Sequence, residues 1–93
     1  MLKNLGNLGA SIDANNLETN TICGFLGVAD IAAAHLPCAA GTIITLTSQQ
    51  TTTSEPLPSY TFQILNDYNV HRLWYRMCLG SLTNWSAWQE IAF

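Results

Sequence analysis

At 93 residues the chain has the size of one domain. Charged residues make up 10% of it and hydrophobic ones 48%, whereas a globular domain ordinarily carries about 25% charged residues. The net charge is −3 and no Lys or Arg stands between Lys3 and Arg72, which leaves no basic patch for a nucleic acid.

Residues 1–20, MLKNLGNLGASIDANNLETN, show neither helical nor strand periodicity. They read as an extended lead-in segment with turns at Gly6 and Gly9. Leu5, Leu8 and Ile12 are available there to pack against neighbouring copies. Residues 21–93 form the folded domain proper. Its first strand is predicted over 21–28 (TICGFLGV), with Gly24 and Gly27 marking a bend or bulge. Asp30 is suited to cap a helix start, and the alanines after it favour a helix. Pro37 limits that helix to a short turn; a loop packing its alanines inward is the alternative.

A second strand is predicted over 42–47 (TIITLT). The polar stretch 48–59 (SQQTTTSEPLPS) follows, long for a hairpin loop and therefore of functional interest. Residues 60–65 alternate, with Tyr60, Phe62 and Ile64 on one face. Asn66, Asp67 and Asn69 supply a turn. The strongest strand runs over 70–79 (VHRLWYRMCL). Its odd face carries His71, Leu73, Tyr75, Met77 and Leu79, and its even face carries Arg72, Trp74, Arg76 and Cys78. A turn at 80–84 and a final strand over 88–93 complete a mainly β fold. The expected architecture is a small antiparallel sheet of four or five strands with little helix.

The chain has three cysteines, Cys23, Cys38 and Cys78. An odd count with no C-x-x-C pair argues against a disulfide framework and for small buried thiols made in a reducing cytoplasm. No apolar run approaches the roughly 20 residues that span a bilayer. The amino terminus lacks the apolar core of a signal peptide, so neither membrane insertion nor ordinary secretion is expected. His35 and His71 are isolated, and no cluster has metal-ligand spacing. The six acids are scattered, without the paired carboxylates of a glycosidase. No phosphate loop or G-x-S-x-G is present. Asn84-Trp85-Ser86 is a formal glycosylation sequon, but nothing else marks a secreted eukaryotic protein. No catalytic residue, metal or cofactor is expected.

The last third carries the most information. Trp74-Tyr75-Arg76 is followed by a Gly/Asn turn, then Trp85-Ser86-Ala87-Trp88 and Ile91. This ending closely resembles the carboxyl end of pyocin-knob domains and related tail-fibre tips of phages and phage-like particles. Leu2-Lys3-Asn4-Leu5-Gly6, Leu17-Glu18-Thr19 before Gly24-Phe25, and His35-Leu36-Pro37 extend the likeness upstream. The W-S-x-W ending is the specific part. The long Thr-rich loop at 48–59 and Cys23, where a proline is usual, depart from the pattern and leave the receptor open.

The resemblance implies a receptor-binding tip, not an enzyme, with residues 1–20 leading in from a fibre shaft. Such a tip is assembled in the host cytoplasm, carried at the distal end of the virion's tail fibre and released by lysis. Its partners are bacterial surface polysaccharide or lipopolysaccharide, and other copies of itself in a homotrimer. A purely structural trimeric cap and a depolymerase fragment are the alternatives. Low charge with high apolar content points the same way, since copies or a longer parent would cover part of the surface; Thr, Ser, Asn and Gln as solvating residues are the other explanation.

Trp85 and Trp88, three apart, converge only if the chain between them turns. Arg76 is placed to stack on one indole. One reading makes Trp88 core, with Trp74 and Tyr75 structural and Arg76–Trp85 a surface clasp. The other makes a sugar platform, with Tyr68 and Trp85 as stacking rings and Asp67, Asn84 and Arg76 as polar partners. Turns 66–69 and 80–85 should project from opposite ends of the strand between them, so a site using both needs a second chain.

Overall fold

The computed structural model describes residues 2–47, 60–79 and 85–91. Among these residues the protein is mainly β, with one six-stranded mixed sheet and almost no helix. The strands are β1 (Lys3–Asn7), β2 (Thr21–Phe25), β3 (Gly41–Thr47), β4 (Tyr60–Asp67), β5 (Leu73–Leu79) and β6 (Gln89–Ile91), and they lie in chain order across the sheet. From β2 to β6 every neighbour is antiparallel.

The expected sheet of four or five antiparallel strands is therefore extended by β1, which pairs with β2 in parallel. A parallel pair needs a crossover of a dozen or more residues, and residues 8–20 supply it through 3-10 turns at Gly9–Ser11 and Ala14–Asn16. The register of β1 shifts between Asn4 and Gly6. There the Asn4 side chain accepts from the Gly6 amide at 2.8 Å, and Gly6 sits at φ +74°, a bulge geometry that favours glycine. This bulge breaks the period-2 pattern, which is why residues 3–7 do not read as a strand. Leu5 packs half-buried against the core and Ile12 lies within it at 5% exposure. Ile12 is therefore taken up by its own chain, while Leu8, 37% exposed, stays open to a neighbouring copy.

The helix after Asp30 is a single turn. Asp30 caps it, its carboxylate accepting from the Ala33 amide at 3.1 Å. His35 closes it at φ +59°, its amide donating to Ala32 O while the Leu36 amide donates to Ile31 O. This pair of bonds is the Schellman arrangement, here with histidine where glycine is usual, and Pro37 ends the turn. Ala34 and Leu36 point inward.

Among the described residues one face of the sheet is covered and the other is bare. The covered face carries Cys23, Phe25, Ile43 and Leu65 under Ile12, Ala14, Leu17, Val28, Ala34, Leu36 and Cys38. It also buries a polar row in register across four strands, Thr21, Thr45, Gln63 and Arg76. Phe62 and Ile64 of β4, with Tyr75 and Met77 of β5, lie on the opposite face, where Phe62 is 37% and Met77 58% exposed. Tyr75, expected to be structural, is thus a surface residue of the bare face.

Strand β5 starts three residues later than expected. The Asp67 amide donates to Arg72 O and the Asp67 carboxylate accepts from the Asn69 amide at 2.9 Å, so residues 68–72 belong to the turn. Of the final strand expected over 88–93, β6 takes 89–91, and residues 92–93 lie outside the described residues.

All three cysteines are buried, and none is in a disulfide. Burial raises the Cys23 thiol above its usual range. Burial, with the nearby Asp67 charge, raises Cys38 to about 11. Thiolate is the reactive form, so alkylation at pH 8 is expected to leave Cys23 and Cys38 unlabelled in the native protein and to label all three in denaturant without reductant. Mass spectrometry reads the result; a missing pair of labels under denaturing conditions would reveal a disulfide.

Candidate functional site

The inner side of β5 carries Trp74, Arg76 and Cys78. Beyond β5 the chain returns beside it at Trp85, which bridges Cys78. Ser86 then takes a strand partner's role with both backbone and side chain. Its amide donates to Met77 O at 2.8 Å, and its hydroxyl oxygen accepts from the Met77 amide at 3.0 Å. Residues 86–88 have no regular secondary structure, and Trp85 and Trp88 turn to the same side, onto Arg76.

Both indoles meet on Arg76. Its guanidinium carbon lies 4.0 Å from the Trp85 ring centre and 4.8 Å from that of Trp88. The expected stack on one ring is a stack on two. Arg76 is 3% exposed. Its Nε donates to Gln63 Oε1 at 2.7 Å and its Nη2 to Asn15 Oδ1 at 2.8 Å. Gln63, fully buried, donates in turn to Ala14 O at 2.7 Å and to Thr45 Oγ1 at 3.1 Å. Burial away from water lowers the guanidinium pKa to about 10, against the opposing pull of the Asp13 charge. Ring faces and amide oxygens replace the carboxylate that a buried cation usually finds.

A cleft of about 480 Å³ opens over this stack, lined by Asn15, His35, Arg76, Trp85, Ser86 and Trp88 among others. Its far wall is fixed in two places. Trp88 Nε1 donates to His35 O at 2.8 Å, and His35 Nδ1 lies 2.8 Å from Asp13 Oδ1. Burial alone would raise the Asp13 pKa, but the His35 bond, the Asn15 amide and the His35 and Arg76 charges outweigh it and hold the carboxyl below its usual range. Trp85 and Trp88 are both half-buried. Trp88 is thus at once a partner of the core and a wall of the cleft.

The other expected residues lie elsewhere. Tyr68 is 73% exposed and Asp67 half-buried beside it. Both line a separate groove of about 550 Å³ formed by residues 66–73. The groove reaches β5 at Leu73 and the cleft reaches it at Arg76, about 10 Å further along the strand, and the two share no lining residue. Within one chain Tyr68 and Asp67 therefore do not meet Trp85 and Arg76, as the strand length predicts. Asn84 lies outside the described residues, as does the loop 48–59. Trp74 is half-buried against the core, with its Nε1 buried and unpartnered.

Sequence reasoning missed Asn15, His35 and Ser86 as lining residues. Ser86 belongs to the W-S-x-W motif and was within reach. Asn15 and His35 reach the cleft only through the crossover and the capped turn, which leave no local signal. No three His, Cys, Asp or Glu side chains converge as a metal-binding group among the described residues, and no helix among them is long and apolar enough to cross a membrane. No protein-family model, curated protein or solved structure matches the chain.

Proposed function

We propose that this chain is the receptor-binding tip of a phage or phage-like tail fibre. It acts as a homotrimeric adhesin that holds bacterial surface polysaccharide or lipopolysaccharide in the cleft over Arg76. The observation that carries the reading is the Trp85–Arg76–Trp88 stack. A pyranose offers an apolar C–H face to an aromatic ring and hydroxyls to polar groups around it. Here two half-buried indoles are locked by a guanidinium between them, and the Asn15 amide, the His35 imidazole and the Ser86 hydroxyl stand around the same cleft. Rings that do not have to be ordered on binding lose less entropy when a ligand arrives. A single shallow sugar site is weak, and several copies on one fibre multiply it into useful avidity.

The second reading is a structural cap that closes a trimeric fibre without touching the receptor. The bare apolar face of the sheet favours it. A glycan array probed with the domain separates the two, because the cap binds no glycan. A depolymerase would instead shorten the polysaccharide, which a degradation assay reads.

Trp85→Ala is expected to lower binding to the recognised glycan, and adsorption to host cells, by about tenfold, the worth of one good aromatic stacking contact. Tyr68→Ala, at the other end of β5, is expected to leave both unchanged. Circular dichroism must show that each variant is folded. Loss on Tyr68→Ala alone would move the site to the 66–73 groove. Full binding by both folded variants would remove both sites and direct attention to the loop 48–59.

A further inference from the structure

Among the described residues the sheet has one covered and one uncovered face, and the uncovered one is apolar along two adjacent rows. Register places Ile22, Ile44, Ile64 and Tyr75 side by side across β2 to β5. Leu46, Phe62 and Met77 form the adjacent row. Phe62 is 37%, Tyr75 36% and Met77 58% exposed. Across β2 to β6 no described residue on this face is charged. An uncharged, contiguous apolar sheet face exceeds the scattered exposed side chains that a monomer carries without consequence.

We infer that this face is where copies of this chain join, sheet against sheet. Area and charge both select a second copy as the occupant. With the flanking row Gly24, Thr42, Asn66 and Leu73, four strands about 4.8 Å apart and three rows about 6.8 Å apart give a patch of about 400 Å² in projection. The relief of the side chains raises the accessible area to roughly 600–800 Å² per copy, close to the ~800 Å² per partner of a stable interface. The chain carries a net charge of −3, so copies repel wherever their acids approach. Asp13, Glu18 and Asp30 lie in the crossover and capped turn, on the segments packed over the opposite face. Joining through the bare face keeps these acids on the outside of the assembly. It also leaves the Arg76 cleft, on the covered side, open in every copy. The inference concerns self-association alone and does not depend on glycan binding.

The test uses the whole chain. Sedimentation at micromolar concentration should give an integral multiple of the 10.2 kDa chain mass, three for a fibre tip. Met77→Glu and Phe62→Glu should each weaken association about 100-fold or more, because a charge would be buried without a partner. Ile31→Glu, at a site as open as Phe62 at 37% exposure but in the capped turn over the opposite face, should associate like the parent. The unmodified chain offers a second readout that does not depend on a variant folding. Met77 should resist peroxide at concentrations where the chain is associated and form its sulfoxide readily on dilution. Association that is lost in the two face variants, with Met77 protected, establishes the interface. A chain that stays monomeric, or assembles with Met77 fully reactive, overturns it. Glycan binding retained by a monomeric Met77→Glu variant would leave the proposed sugar site standing on its own.

Discussion

Arg76→Ala is expected to destabilise the fold by about 3–5 kcal/mol, the range for breaking a buried, hydrogen-bonded charged group's network. Three losses add. Gln63 Oε1, on a side chain with no exposure, loses the Nε donor at 2.7 Å. An unsatisfied buried acceptor costs about 1–3 kcal/mol. Trp85 and Trp88 lose the guanidinium between them, leaving a cavity and two rings with nothing to order them. Asn15 loses the bond that ties the crossover to the sheet. One gain opposes these, since a cation whose pKa burial drives down to about 10 no longer has to be desolvated. Arg76→Met separates the contributions: it keeps most of the volume but leaves Gln63 unpaired, so it should recover part of the loss and not all of it. Urea denaturation measures both variants, and near-ultraviolet circular dichroism should show a diminished tryptophan signal in each. An unchanged midpoint for Arg76→Ala would mean that the indoles and Gln63 hold their places without the cation.

Gly41→Ala should be damaging for an unrelated reason. A β-carbon at Gly41 would sit inside the van der Waals shell of the Asn66 carbonyl oxygen, 3.2 Å from the carbonyl carbon and 3.3 Å from the tip of Phe25. The obstacle is backbone, so no rotamer change relieves it. Gly41 opens β3 opposite Asp67 of β4 and Phe25 of β2, and both neighbouring strands would have to move. Overpacking of this kind costs about 1–3 kcal/mol and sometimes more. With a carbonyl as the obstacle, the upper end, about 3 kcal/mol, is expected. By contrast Gly24→Ala should be mild, since a β-carbon there meets nothing nearer than 3.7 Å. Thermal midpoints of the two variants measured together provide the check. Equal midpoints would show that β3 and β4 separate at Gly41 at little cost.

The four central strands were legible in the residues themselves. TICGF, TIITLT, YTFQIL and LWYRMCL are rich in β-branched, aromatic and long apolar side chains and are bounded by Gly, Pro, Asn or Asp. The short capped turn after Asp30 was legible too, because Asp, alanines and Pro37 carry local backbone preferences. The opposite placement of Tyr68 and Trp85 follows from strand length alone. The parallel strand β1 was not legible. Its bulge at Gly6 erases the alternation, and its partner β2 is reached only across the crossover.

Local chemistry thus determined the strands, the turns and the hairpin order of β2 to β6, because those preferences act within a few residues of sequence. Only the tertiary structure decided which face of the sheet lies inside. Counting apolar side chains on β4 and β5 favours Phe62, Ile64, Tyr75 and Met77 for the interior, yet the interior holds Thr61, Gln63, Arg76 and Cys78. A buried polar group is tolerable when its hydrogen bonds are met. Those of Gln63 and Arg76 are met by Ala14, Asn15 and Thr45, residues 18 to 61 positions away in the chain. No window of sequence contains both a polar side chain and the distant partners that make its burial affordable, so the inner face and the cleft over Arg76 exist only once the crossover has folded onto the sheet.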